Sequence, residues 1–456
     1  MMARMPQRDY EVVVVGARCA GAAVATLLAR AGAKVLLLDK ATLPSDHVLS
    51  THSINPPGMD VLDELGVGDA VRAVAPPSRL IRVNVEGTVA DIPTAEGRAL
   101  YCPRRQRLDA LLQEAAVASG ARLLDRTRVV ALVHDDGRVV GVRVAGADGE
   151  RVVSAELVVG ADGRHSTVAQ LVEAEEYLGY DAPRAVYWAY WNAPSLWNTD
   201  PAYRFDMYFG QVGGLLRVIF QTDHHQLLIG AAPPANRVGA WRADPYRTLQ
   251  AALARDPVIE PLVRDSRPDG HVRGTVRERY YFRRAAGRGW TLVGDAGHHK
   301  EFQLGDGITE ALLQARSLAA AIRAGSDAAL ARWWRARDVE ALPLYFWGKE
   351  AGVVEPPLEL LQLVFSHIGR EPDLKARFAA VIDRRLSPFE MVPATRAARW
   401  VLGAAVRGRW GVLGQLVGAG RRGLAVTREL RAREALLTKA EAAGREETGR
   451  PPRPTA

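Results

Sequence analysis

Residues 9–40 read DYEVVVVGARCAGAAVATLLARAGAKVLLLDK, and few folds accommodate such a string. The β-branched run Glu11 to Val15 stops at Gly16. Alanines and leucines then recur at helical spacing from Ala20 to Arg30, and a second apolar run, Lys34 to Leu38, closes on Asp39. This is strand, tight turn, helix and strand. The turn gathers backbone N–H groups and the positive end of a helix dipole at one point, where a pyrophosphate is favoured. Asp39, with Lys40 beside it, is placed to meet a ribose. Gly16 and Gly21 take the first and third positions of G-x-G-x-x-G. Arg18 stands at the second, so its side chain must turn away or be used on the dinucleotide.

The rest of the composition narrows the class. The 456 residues suffice for two or three domains, and 48% hydrophobic with 25% charged content excludes global disorder. Cys19 and Cys102 are the only cysteines, so no disulfide framework and no metal-ligand cluster is expected, and a reducing, cytoplasmic setting is. Met1 to Arg8 lacks the apolar core of a signal peptide, and no apolar run is long enough to span a bilayer. The net charge of +8 sits wholly in residues 396–456, which carry thirteen Lys and Arg against five Asp and Glu. Without a zinc finger, helix-turn-helix or RNA-binding aromatic signature, that tail does not mark a nucleic-acid binder.

Further along, Pro56-Pro57-Gly58 predicts a bend before a helix from Met59 to Leu65, and the loop ahead of it offers Ser50, Thr51 and His52 as ligand contacts. Arg79 to Pro93 alternates as a hairpin turning at Glu86-Gly87. Three arginines, Arg104, Arg105 and Arg107, precede a helix from Leu108 to Ala118, against the sense of its dipole, which suggests a phosphate or ribose contact. Hairpin signals at Asp135-Asp136-Gly137 and Asp148-Gly149 lead to a buried strand, Leu157 to Gly160, that opens into GADGRHS. From Val186 to Ile229 long aromatic, roughly alternating segments predict a separate antiparallel sheet, with Trp188, Tyr190, Trp191 and Tyr208 as candidate pocket floor or core. The chain then returns with WTLVGD, Trp290 to Asp295, and AGHHKEFQLGDGITEALL, where Gly305 and Gly307 open a helix.

GARCAG at Gly16, GADG at Gly160 and VGDAGHH at Val293, in this order and spacing, resemble the FAD-dependent oxidoreductases of the para-hydroxybenzoate hydroxylase type, the group A flavin monooxygenases. The resemblance covers residues 9–330. It implies that Gly16, Gly21 and Asp39 take the FAD pyrophosphate and ribose, with Arg105 as the arginine that precedes the helix and contacts FAD; Arg18, Lys40 and Thr51 are expected beside them from their places in the same turn and loops. Asp162 and Gly163 match the motif thought to serve both FAD and the nicotinamide cofactor, and Gly294, Asp295 and Gly307 match the motif at the ribityl chain. Three positions depart from the family pattern: Phe302 replaces a proline, Thr309 an asparagine and Ala169 an arginine.

By resemblance the chain is an FAD-dependent monooxygenase. It would use NADPH or NADH as transient reductant and O2, and would hydroxylate or epoxidise an aromatic or polyketide-like small molecule through a flavin C4a-hydroperoxide. His298 and His52 are candidate catalytic residues, each weighed against a packing role. Two alternatives stay open: a reductase or dehydrogenase of the geranylgeranyl reductase kind on a lipid or prenyl substrate, and a flavin-binding membrane or partner module without turnover. The expected fold is α/β. A Rossmann-type FAD-binding domain (9–78 with 100–180 and 275–330) is interleaved with an antiparallel β-sheet substrate domain (79–99 with 181–274). A helical C-terminal region (331–443) and a disordered tail (444–456) follow. The basic amphipathic stretch Thr395 to Leu437 reads as a cover on the substrate domain or a peripheral contact with an anionic membrane.

Overall fold

The computed structural model describes residues 8–45, 50 and 52–449. Tyr10–Val15 is the central strand of the first sheet. It runs parallel to Val35–Leu38 on one side and to Gly149–Gly160 on the other, with Val12 opposite both Val35 and Leu157. Trp290–Leu292 and Arg122–Leu124 extend the parallel arrangement at either edge. Val12–Val15 and Val35–Leu38 are buried throughout, as strands with helices on both faces must be. Helices Cys19–Arg30, Arg105–Ala118 and Gly307–Arg323 pack beside this sheet. The hairpin Arg128–Asp135 and Arg138–Gly146 turns over Asp136 and Gly137 at φ 46° and 68°, the left-handed pair that a two-residue connection needs.

The second sheet has seven strands in the order Asp269–Thr275, Val186–Asn192, Gln226–Ala232, Leu215–Thr222, Met207–Val212, Leu80–Val85 and Thr88–Pro93. It is antiparallel except for one pair. Met207–Val212 runs parallel to Leu80–Val85, which corrects the wholly antiparallel expectation. A parallel pair needs a long crossover, and the chain between these strands supplies one. Val186, Trp188 and Tyr190 point to one face, while Tyr187, Ala189 and Trp191 point to the other, where Leu249, Leu253 and Leu262 cover them. Tyr208 lies on that covered face too, so it and Trp191 are core. The short helices Gly239–Ala243, Pro245–Leu253 and Glu260–Val263 that build this cover went unread in the sequence.

Two helix boundaries also differ from expectation. Pro56 and Pro57 lie inside the first turn of the helix Pro56–Glu64 and do not bend the chain ahead of it, because first-turn N–H groups lack partners in any case. Asp327–Ala351 is one helix of 25 residues, where the composition after Ile322 suggests a shorter one from Ala328 to Asp338, and it runs on through Pro343. Buried Ala341, Leu342 and Tyr345 hold that segment against Tyr280 and Phe282, outweighing the hydrogen bond that proline removes. Helices Leu358–Ile368, Pro372–Ile382 and Ala394–Val406 then press Leu363, Ile368, Phe378, Trp400 and Val401 onto the second sheet. The last helix, Gly411–Gly449, extends beyond residue 444, where the sequence suggests a disordered tail. No described helix is long and apolar enough to cross a membrane. A third small sheet pairs Arg279–Arg283 with Glu176–Asp181 and His298–His299, and so anchors the loop that leads to Gly307.

Candidate functional site

A cleft of about 380 Å³ opens where three parallel strands end side by side, with Val15 and Leu292 both in register with Gly160. Ligands favour this edge of a parallel sheet. Its floor is backbone. Gly16 has φ 105°, and a Cβ there would lie 2.4 Å from the carbonyl oxygen of Ala161. A Cβ on Gly21, beneath the turn, would lie 1.8 Å from the carbonyl oxygen of Gly16. Arg18 needs no glycine geometry, since its backbone is extended at φ −102°. Its guanidinium turns along the cleft and donates to Ser45 Oγ at 3.2 Å.

Asp39 braces the same turn, accepting from the Ala17 and Ala41 N–H groups at 2.9 Å each, and lines the cleft with Lys40. Ser50 and Ser53 also face it, while Thr51 lies outside the described residues. The arginines at the start of Arg105–Ala118, a helix that begins at Arg105 itself and not at Leu108, divide. Arg105 is buried on the cleft wall, gripping both oxygens of Asp109 at 3.0 and 3.1 Å, and its Nε has no partner among the described residues. Arg104 instead turns to the second sheet, 3.2 Å from Asp223 and stacked 4.1 Å over the Tyr190 ring.

Gly163 lines the cleft at φ 78°. Asp162 lines it too, but its carboxylate is occupied: it accepts from Ser166 Oγ at 2.5 Å and from the N–H of Thr167 at 2.6 Å, fastening the turn into Thr167–Leu171. Gly294 at φ 60° donates its N–H to Gln314, and the carbonyl of Asp295 accepts from Tyr281, leaving the Asp295 side chain at the cleft. Gly307 is the first residue of its helix, whose positive end faces the same space.

Between these motifs lies a cluster that sequence reading missed. Lys300 and Arg384 both bind Asp306 and Glu310, with Lys300 2.5 Å and Arg384 2.6 Å from Glu310, all four buried or nearly so. Burial alone would raise the Glu310 pKa, but Lys300 and Arg384 hold it well below the ordinary carboxylate range. Asn55 joins through its side chain to Asp306 and through its N–H to Thr309 Oγ1, both at 2.8 Å. Glu301 is isolated by comparison. Tyr280 donates to one of its oxygens at 3.1 Å, the other has no partner among the described residues, and burial pushes its carboxyl up to about 8. Acids and bases packed around Gly305 and Gly307 were the available signal, but Arg384 is too distant in sequence to be paired by spacing.

The two histidines part company. His298 lines the cleft, stacked on Phe282 at 4.2 Å, and burial drives its pKa well down. Gln314 sits 3.3 Å from its Nδ1, and its Nε2 has no partner among the described residues. His52 is fully buried at φ 62° and stands away from this cleft, its Nε2 2.5 Å from the hydroxyl of Tyr190 on the second sheet.

The profile of the FAD binding domain family, FAD_binding_3, matches residues 9–337. The chain belongs to this family. The FAD binding domain family here is of the para-hydroxybenzoate hydroxylase type. Among curated relatives, the 6-methylpretetramide 4-monooxygenase of Streptomyces rimosus is 33% identical over 168 residues, 35% of this chain and 40% of that one, so the match spans about two fifths of its length. The digeranylgeranylglycerophospholipid reductase of Methanosarcina acetivorans is 26% identical over 309 residues, covering 66% of this chain and 72% of its own. Among solved structures, the p-nitrophenol 4-monooxygenase PnpA of Pseudomonas putida DLL-E4 superposes with a TM-score of 0.71 at 18% identity, covering 83% of this chain and 98% of that one. The fold is thus that of a flavoprotein oxidoreductase, and the residues present fit FAD: backbone packs so closely at Gly16 that no side chain can enter the turn, and Arg105 and His298, both on the cleft lining, each keep a buried nitrogen without a partner among the described residues.

Proposed function

We propose that the chain is an FAD-dependent monooxygenase that takes electrons from NADPH or NADH and, with O2, hydroxylates or epoxidises an aromatic or polyketide-like small molecule. The observation that carries this reading is Phe302. One side chain lines both the FAD cleft and the aromatic face of the second sheet, so a substrate on that sheet stands one residue from the flavin.

The Gly16 turn and the start of Cys19–Arg30 bind the pyrophosphate, Asp39 the ribose, and Asp295 the polyol chain. Bound FAD supplies the electron transfer and oxygen activation that no side chain offers. The start of Gly307–Arg323 favours negative charge on the ring, and neutral His298 holds an Nε2 proton toward the same space. Phe302 and the apolar sheet exclude water. His52 Nε2 pairs with the Tyr190 hydroxyl at the sheet, which would let His52 orient that hydroxyl toward a substrate oxygen.

The test is an absorbance spectrum of the purified protein, then anaerobic NADPH, then air, with oxygen uptake recorded. A flavin band that bleaches and returns with substrate-dependent oxygen consumption supports the reading. Reduction without oxygen coupling favours a reductase acting on a prenyl lipid. One observation favours that second reading: Leu402, Val406 and Trp410 are 61%, 85% and 66% exposed beside Arg399, Arg407 and Arg409, a face suited to an anionic membrane. Flavin that no nicotinamide reduces favours a non-catalytic module, and protein that cannot be loaded with FAD overturns all three.

A further inference from the structure

On the far side of Phe302, Val186, Trp188, Leu216, Val218, Phe220 and Leu228 enclose a narrow apolar slot with about 20 Å³ of free space. That is room for a water and nothing larger. Gln303, adjacent to the partition, also lines it. This side chain is 8% exposed, and its amide nitrogen is buried without a partner among the described residues. Beyond the indole of Trp188, the other lining side chains are apolar. An unpaired amide N–H in such a place costs free energy unless a ligand completes it.

We infer that this slot is the closed head of the substrate site, with Phe302 as its gate and Gln303 as the specificity-determining donor, so that the substrate is a flat apolar molecule carrying a carbonyl or phenolate oxygen. Three features support the assignment. Phe302 is only half-buried and belongs to two apolar clusters at once, packing against the C-terminal cover on one side and Tyr280 and Tyr345 on the other. It has an alternative set of apolar neighbours to turn toward. Turning it opens the slot toward the flavin end of the cleft, since Phe302 is the residue that lines both. The Gln303 nitrogen then meets the acceptor at the end of a pocket that is otherwise blind to polarity. Gln303 thus orients the ring system relative to the flavin, and a hydrocarbon of the same shape lacks the contact. The inference rests on the monooxygenase reading only for what happens after binding.

The test uses a matched pair of probes, 9-fluorenone and fluorene, which share a ring framework and differ in the ketone oxygen. Binding is measured by calorimetry on the full chain, with and without FAD, in the wild type, Gln303→Leu, Gln303→Glu and Phe302→Ala. The wild type is expected to prefer fluorenone by about tenfold, the worth of one buried hydrogen bond. Gln303→Leu and Gln303→Glu both abolish the preference, while Phe302→Ala tightens both probes and keeps it. A merely structural role for Gln303 would weaken the two probes equally. Equal binding in the wild type, no binding of either probe, an undiminished preference in both Gln303 variants, or no gain in Phe302→Ala overturns the proposal. Failure of the monooxygenase reading is separately visible as intact probe selectivity in a protein that does not couple flavin oxidation to substrate.

Discussion

The two surfaces that meet at Phe302 are built by opposite means. The cleft side is backbone: Gly16, Gly163 and Gly294 at positive φ, strand ends in register, and helix starts aimed at one point. The slot side is made of side chains, from Val186 and Trp188 to Phe220 and Leu228, that stand on the strands of the second sheet. A backbone surface admits one ligand, because no substitution retunes it without breaking the turn. A side-chain surface can be respecified residue by residue, so a shared cofactor and divergent substrates sit naturally on one fold.

The sharpest break is at the backbone side. Gly21→Ala or Gly16→Ala forces a Cβ to within 1.8 or 2.4 Å of a carbonyl oxygen, and should weaken FAD retention by on the order of 100-fold or more, read as flavin content after gel filtration, with circular dichroism checking the fold. A side-chain deletion of comparable size, Val218→Ala in the slot wall, should leave FAD content unchanged. Equal losses from both would erase the contrast.

Next comes the buried charge cluster at the border. Arg384→Met leaves the two carboxylates of Asp306 and Glu310 to share the single charge of Lys300 and should cost about 3–5 kcal/mol in denaturant unfolding. Arg384→Met with Glu310→Gln rebalances the charge and should recover most of it. A double variant as unstable as the single one would make Arg384 a packing residue.

A comparable effect, spread over several pH units, follows at Glu301. In the folded chain burial keeps the carboxyl protonated up to about 8, whereas the unfolded chain releases the proton near about 4.3. Folding therefore takes up a proton between those values, and stability falls as pH rises through that window by about 1.4 kcal/mol per pH unit. Glu301→Gln should flatten that slope in unfolding experiments between pH 5 and 8, and a slope left unchanged would place the titrating group elsewhere.

The smallest effect belongs to the exposed face. Trp410→Ser should change stability by less than about 0.5 kcal/mol, since the ring is 66% exposed. Sedimentation with vesicles of anionic and of neutral lipid then separates a membrane face from a bare one: a loss of anionic-vesicle binding in Trp410→Ser supports the contact, and wild-type protein that ignores both vesicles removes it.

What the sequence disclosed follows the same division. The cleft was readable because backbone sites need glycine at fixed spacing, which is why Gly16, Gly163 and Gly294 declare themselves. Asp39, Arg105 and Asp295 follow as neighbours of those turns, and all three line the cleft. Asp162 was named from its motif, yet the structure spends its carboxylate on the Ser166 turn. Arg384 and Gln303 were invisible. One acts across the fold on Asp306, and the other is an ordinary amide until burial removes its partners. The helix Asp327–Ala351 runs past Asp338, where the sequence reading stops, because Leu342 and Tyr345 hold it through contacts far away in sequence that local composition does not register.

The strand Trp290–Leu292 completes the cleft, yet the ribosome makes it only after the whole second sheet. At roughly 5–20 residues per second, the stretch from Gly160 to Trp290 occupies on the order of ten seconds, during which Val158–Gly160 lacks its partner on that side. The Gly16 turn exists early, but the half of the cradle that holds the ring does not. The parallel strand ends that frame the cleft are therefore brought together only after the second sheet has been made.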